Sequence, residues 1–135
     1  MKNIQINCVL NIKSSLGEGP IWSTIDQKLY WVDITEGLFC NFNPQNGINE
    51  ILDLGRPIGC FALKKDGNAI VALTDGFFEL NQKTQKLTLI KDTESDILSN
   101  RFNDGTVDLK GRFYAGTMPI KNPGIENLPK GTLYC

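Results

Sequence analysis

Two short glycine-bounded stretches hold the side chains best suited to chemistry. "LGEGP", residues 16–20, presents the carboxylate of Glu18 from a loop that Gly17 and Gly19 let turn tightly and that Pro20 keeps out of a helix. "RFNDG", residues 101–105, sets Arg101, Asn103 and Asp104 ahead of an alternating, strand-like run. Glu18 and Asn103 are hard oxygen donors of the kind that hold calcium, magnesium or manganese. The guanidinium fork of Arg101 can grip a carboxylate or a row of hydroxyls. If the three converge, they make a polar site for an oxygen-rich ligand. Each also has a plainer reading on its own: Glu18 as a solvated loop acid, Arg101 as a surface residue, and Asn103-Asp104-Gly105 as a turn. The chain has no histidine, which excludes a histidine general base, a Ser-His-Asp triad within it and a histidine-rich zinc site.

Composition narrows the partners. The 135 residues are 41% apolar and 21% charged, with net charge −1 and no basic block. Nucleic acid and anionic membrane are therefore poor partners. No apolar run approaches the ~18 residues of a membrane-spanning helix. The N-terminal stretch is broken by Asn3, Gln5, Asn7 and Asn11, unlike the apolar core of a signal peptide, so the expected location is the cytoplasm. Cys8, Cys40, Cys60 and Cys135 contain no C-x-x-C pair and read as reduced, partly buried thiols.

The elements that must position these residues are short strands. Runs such as "KLYWVDI", "NAIVALT", "GFFELN" and "RFYAG" alternate and are separated by turn chemistry such as "NPQNG" and "KKDGN". Three strand–turn–strand units line up, with turn positions Gln27, Gly67 and Gly111 spaced 40 and 44 residues apart. A second hairpin follows each of the first two. Two hairpins per period give four strands per repeat, the pattern of a β-propeller blade, with a β-sandwich as the alternative. The repeats run from about 19 to 54, from 59 to 92, and from 103 to an incomplete end at 135. The expected fold is thus all-β: about two and a half blades of a propeller. Open sheet edges would make such a chain a piece of something larger.

Innermost strands line a propeller's channel. Taking Trp22, Ala62 and Val107 as equivalent puts Glu18, Ile58 and Asn103 four residues earlier, so Glu18 and Asn103 fall at one height on different blades. Arg101 lies two residues further out. Trp22, Trp31 and Phe61 read as core, and Asp33 and Asp75 as turn or inter-blade residues.

At these residues the sequence resembles the gluconolactonase, regucalcin (senescence marker protein) and luciferin-regenerating-enzyme family. "LGEGPIWSTIDQKLYWVDI" (16–34) looks like the family's opening blade, and "NRFNDGTVDLKGRFYAGTM" (100–118) like its most recognisable block. "RPIGCFALKKDGNAIVALTDGFFEL" (56–80) is similar to the segment between them. The resemblance implies the N-terminal portion of a six-bladed propeller that hydrolyses sugar lactones. It implies one divalent cation, Ca2+ or Zn2+ with Mg2+ and Mn2+ as further options, with Glu18 as a ligand. It implies Arg101 and Asn103 as substrate-binding residues. A substrate-contacting acid of some members falls on Lys121, which is not an acid, and Glu126 is left without a role. The family's remaining metal ligands, an asparagine and an aspartate that is also the general base, have no counterpart here, so no catalytic residue is expected in this chain. The partners implied are a sugar lactone and the missing C-terminal half. Two readings compete: a non-catalytic calcium-binding or protein-binding propeller piece, and a paraoxonase-like or strictosidine-synthase-like hydrolase, which the "RFNDG…AGTM" block argues against.

Overall fold

The computed structural model describes residues 3–120 and 130–135, so Lys121 and Glu126 lie outside the described residues. Every element among them is a strand. β1 (Gly17–Ser23), β2 (Lys28–Asp33), β3 (Leu38–Asn43) and β4 (Ile48–Asp53) form one antiparallel sheet in chain order. β5 (Ile58–Leu63), β6 (Ala69–Leu73), β7 (Gly76–Asn81) and β8 (Lys86–Asp92) form a second. β9 (Asn100–Val107), β10 (Phe113–Pro119) and β11 (Leu133–Tyr134) form a third. The repeated four-strand meander is the propeller blade expected from the sequence.

The turns explain the period. Gln27, Gly67 and Gly111 have φ of 55°, 84° and 79°. All three turns therefore close through a left-handed residue, which glycine adopts without strain and glutamine does not. Asp66 and Asp108 brace the last two: Asn68 N donates to Asp66 Oδ1 at 3.0 Å, and Lys110 N donates to Asp108 Oδ1 at 2.8 Å.

Each sheet is sealed to the next by the alternate side chains of its inner strands. Tyr30, Val32 and Phe39 of the first sheet meet Ile58, Phe61, Val71 and Leu73 of the second. Phe39 and Phe61 meet edge to face at 5.2 Å. On its opposite side the second sheet offers Cys60, Ala72 and Phe77 to Phe102, Ala115 and Tyr134 of the third. The far face of the first sheet, with Trp31, Cys40 and Phe42, is covered by Leu10 and Ile12 of the N-terminal segment. Asp33 ties that segment down, accepting from Ser15 N at 2.7 Å and Leu16 N at 3.0 Å. Asp75 pairs with Arg56 at 2.6 Å.

Trp31 and Phe61 are buried as expected, but Trp22 is 45% exposed. It lies on β1, and only one neighbouring sheet packs against the sheet to which β1 belongs, so alternation alone misplaced it. Cys40 and Cys60 are buried, Cys8 and Cys135 are exposed, and all four are unbridged. Burial, reinforced by the Asp104 carboxylate, pushes the Cys60 thiol up to about 12, so it is packing rather than a nucleophile.

Candidate functional site

The hairpin registers fix how the three inner strands compare. Trp22, Leu63 and Val107 pair with Leu29, Ala69 and Phe113. Gly17, Ile58 and Phe102 pair with Asp33, Leu73 and Thr117. These partners keep the 40- and 44-residue spacing of the turns. The next residue along each inner strand is therefore Glu18, Gly59 or Asn103. Glu18 and Asn103 share a level, and the residue between them is Gly59 rather than Ile58. Equivalent positions across the first hairpin are one residue further apart than across the other two, which shifts the inner strands by one against the strands they pair with.

All three inner strands break their ladder at this level. The register slips between Glu18 and Ile21, between Ile58 and Cys60, and across the segment facing Ala115 to Thr117. A bulge adds a residue on one strand and re-aims the side chains beside it. "RFNDG" is thus not a turn but the bulged start of β9. Asp104 shapes the bulge by accepting from Gly105 N at 2.7 Å.

Glycine at 59 serves close approach. A Cβ there would lie 2.3 Å from the carbonyl carbon of Phe102. The missing side chain lets β9, with Arg101 and Asn103, come against β5. Alanine at position 59 is expected to push the strands apart and cost about 1–3 kcal/mol. The check is the urea midpoint at unchanged m-value.

β1, β5 and β9 line one groove of 540 Å³, whose walls include Trp22, Phe61, Leu63 and Val107. Gly19, directly after Glu18, and Asp104, directly after Asn103, belong to its lining. Glu18, Arg101 and Asn103 are not themselves among the lining residues; Glu18 and Asn103 directly precede the lining stretches of β1 and β9. Glu18 is exposed. Arg101 is half-buried and donates from Nη1 to the carbonyl of Phe102 at 2.8 Å and to Asn103 Oδ1 at 3.1 Å. Burial alone holds its pKa below the ordinary arginine value, and the group stays cationic at any physiological pH. The bond to Asn103 Oδ1 leaves the Asn103 amide nitrogen as a donor, so Arg101 and Asn103 act as one braced donor unit. β5 lies between this unit and Glu18.

A divalent cation needs six or more oxygen ligands in its shell if it is calcium. Among the described residues no three acidic, histidine or thiol side chains come together. Glu18 can supply one carboxylate at the groove, and these residues do not complete a metal site.

Two buried residues near these strands escaped the sequence. Phe102, between Arg101 and Asn103, is 1% exposed and anchors β9 to the core. Glu94, in a stretch that reads as an ordinary polar loop, is a buried acceptor for Asn100 and Tyr134. Only the bulges' glycines at 59 and 105 could have hinted at the close packing.

Comparison with known proteins bears on the family and the fold. Over 135 residues the chain is 36% identical to regucalcin of Xenopus laevis, covering 99% of this chain and 45% of the relative. It is 40% identical over 116 residues to 6-deoxy-6-sulfogluconolactonase of Pseudomonas putida, covering 86% of this chain and 40% of that one. The chain thus spans less than half the length of these relatives. Among solved structures it is similar to a luciferin-regenerating enzyme, with TM-score 0.79 and 29% identity over 90% of this chain and 42% of that one. It is equally similar to a protein of Agrobacterium tumefaciens described as a calcium-binding protein, regucalcin, with TM-score 0.78 and 29% identity over 82% of this chain and 38% of the other. The family model described as "SMP-30/Gluconolactonase/LRE-like region" matches residues 16–135, and the chain belongs to that family.

Proposed function

We propose that these residues form the N-terminal part of a metal-dependent propeller hydrolase that opens sugar lactones. The observation that carries the reading is the braced pair on β9, with Asn103 Oδ1 held by Arg101 at 3.1 Å and Glu18 at the same level two strands away. A cationic fork and an amide suit a substrate built from hydroxyls and an ester. Relatives named regucalcin and 6-deoxy-6-sulfogluconolactonase support the substrate class.

In this reading Glu18 is one ligand of a divalent cation, which supplies Lewis-acid polarisation of the ester carbonyl when bound. Arg101 and Asn103 hold the sugar hydroxyls and set the ring's orientation. The general base and the other ligands come from outside these residues. The 135-residue chain alone is accordingly expected to give little or no turnover, and metal-dependent lactone hydrolysis by it would overturn this division of labour.

The decisive assay uses a whole propeller, completed with the C-terminal part of a relative. Proton release from gluconolactone, with and without added Ca2+ or Zn2+, tests the activity. Within that protein Arg101→Ala removes charge-assisted hydrogen bonds of about 1.5–3 kcal/mol and is expected to raise KM about tenfold or more. An unchanged KM would take Arg101 out of the substrate site.

A further inference from the structure

A separate cavity, with polar and apolar side chains in its wall, lies beside the loop between β8 and β9. It measures 260 Å³, is lined by Thr74, Asp75, Glu94, Ile97 and Asn100 among others, and shares no lining residue with the groove. Glu94 and Asn100 are each only 2% exposed. The Glu94 carboxylate accepts from Asn100 Nδ2 at 3.0 Å, Thr117 Oγ1 at 3.0 Å and Tyr134 OH at 2.9 Å. Every one of these donors is neutral, and no ion pair reaches Glu94 among the described residues. A buried carboxylate without a countercharge is costly.

The remaining polar atoms point to what is needed. Asn100 Oδ1 and Asp75 Oδ1 are both buried and have no hydrogen-bond partner. Asp75 spends its other oxygen on Arg56 at 2.6 Å. Glu94, Asn100 and Asp75 all line the cavity, so a carboxylate without a countercharge and two residues with orphaned acceptors belong to its wall. Water could satisfy the acceptors but would leave the charge uncompensated. A cation with hard-oxygen preference satisfies both. Neither histidine nor cysteine lines the cavity, which disfavours softer metals.

We propose that this cavity is a cation site of the calcium class, held by Glu94, Asn100 Oδ1 and Asp75 Oδ1, with water completing the shell. The ion joins the β6–β7 turn to the start of β9. Asn100 immediately precedes Arg101, so the ion also steadies the entry of the strand that carries the braced pair.

Terbium tests the site directly, because Tyr134 bonds to Glu94 and can pass excitation to an ion there. The 135-residue chain is expected to give tyrosine-sensitised Tb3+ emission that Ca2+ displaces, and Ca2+ is expected to raise its melting temperature. Glu94→Gln and Asn100→Leu should weaken both effects about tenfold or more. Tyr134→Phe should dim the emission yet keep the Ca2+ shift in melting temperature, and Glu18→Gln should change neither. Absence of any Ca2+-displaceable signal overturns the site, as does a signal lost in Glu18→Gln and kept in Glu94→Gln. If Glu94→Gln and Asn100→Leu do not fold, Asp75→Asn decides: affinity equal to that of the unaltered chain refutes the assignment.

Discussion

Glutamine at position 18, in a completed propeller, is expected to lower kcat/KM for a sugar lactone about a hundredfold or more. The reasoning is electrostatic. Glutamine keeps the shape and one oxygen but removes the formal charge, and a hard cation selects its shell by charge count and oxygen donors. Lewis-acid polarisation contributes several kcal/mol to the barrier, and each 1.36 kcal/mol is tenfold, so loss of metal at working concentration reaches this size. Two readouts separate a metal role from a substrate role. If Glu18 holds metal, activity recovers partly as the added metal is raised, while KM measured at saturating metal changes little. If Glu18 instead touches the sugar, KM rises and excess metal does nothing. Glu18 is exposed, so its replacement leaves the packing intact, and unchanged thermal unfolding without metal would establish that. Wild-type activity in Glu18→Gln would sink the metal assignment outright.

The metal role of Glu18 is what the family resemblance implies, whereas the level it shares with Asn103 was legible because backbone conformation left a trace in residue type. Gly67 and Gly111 mark left-handed turn positions that few other residues tolerate. Gln27 carries no such mark, yet the 40-residue period assigned it the same place, and its φ of 55° agrees. The bulges were less legible. A bulge is one unpaired residue, and nothing in "EGP", "IGC" or "FNDG" says which residue is extra until the second strand's register is known. Hence Ile58 stood in for Gly59, and a bulged strand entry read as a turn.

Trp22 and Glu94 failed for a different reason. Burial depends on which sheet packs against a face, and a local pattern carries no information on that. Trp22 has the composition of core but lines an open groove. Glu94 has the composition of surface but sits beneath a loop, because Thr117 and Tyr134, distant in sequence, converge on it together with the nearby Asn100. Buried polar groups of this kind are set by tertiary contacts and escape any window of neighbours.

Phe102→Ala is expected to be the most damaging single substitution for stability, at about 3–5 kcal/mol. Phe102 is 1% exposed. Its ring lies 4.9 Å from Phe77 and 5.7 Å from Tyr134, so it joins the second sheet to the third. Alanine would leave a cavity that cannot collapse, because Gly59 already brings the β5 backbone against the backbone of residue 102. The neighbouring substitution supplies the contrast. Asn103 is half-buried, its side chain points away from this core, and Asn103→Ala should shift stability by less than about 1 kcal/mol. Urea unfolding followed by far-UV circular dichroism measures both. A large loss for Phe102→Ala with a small one for Asn103→Ala means that adjacent residues divide the work, one fixing β9 to the propeller and the other left free of that packing. Equal losses would mean that Asn103 is structural, and its place in the substrate site would fall with that result.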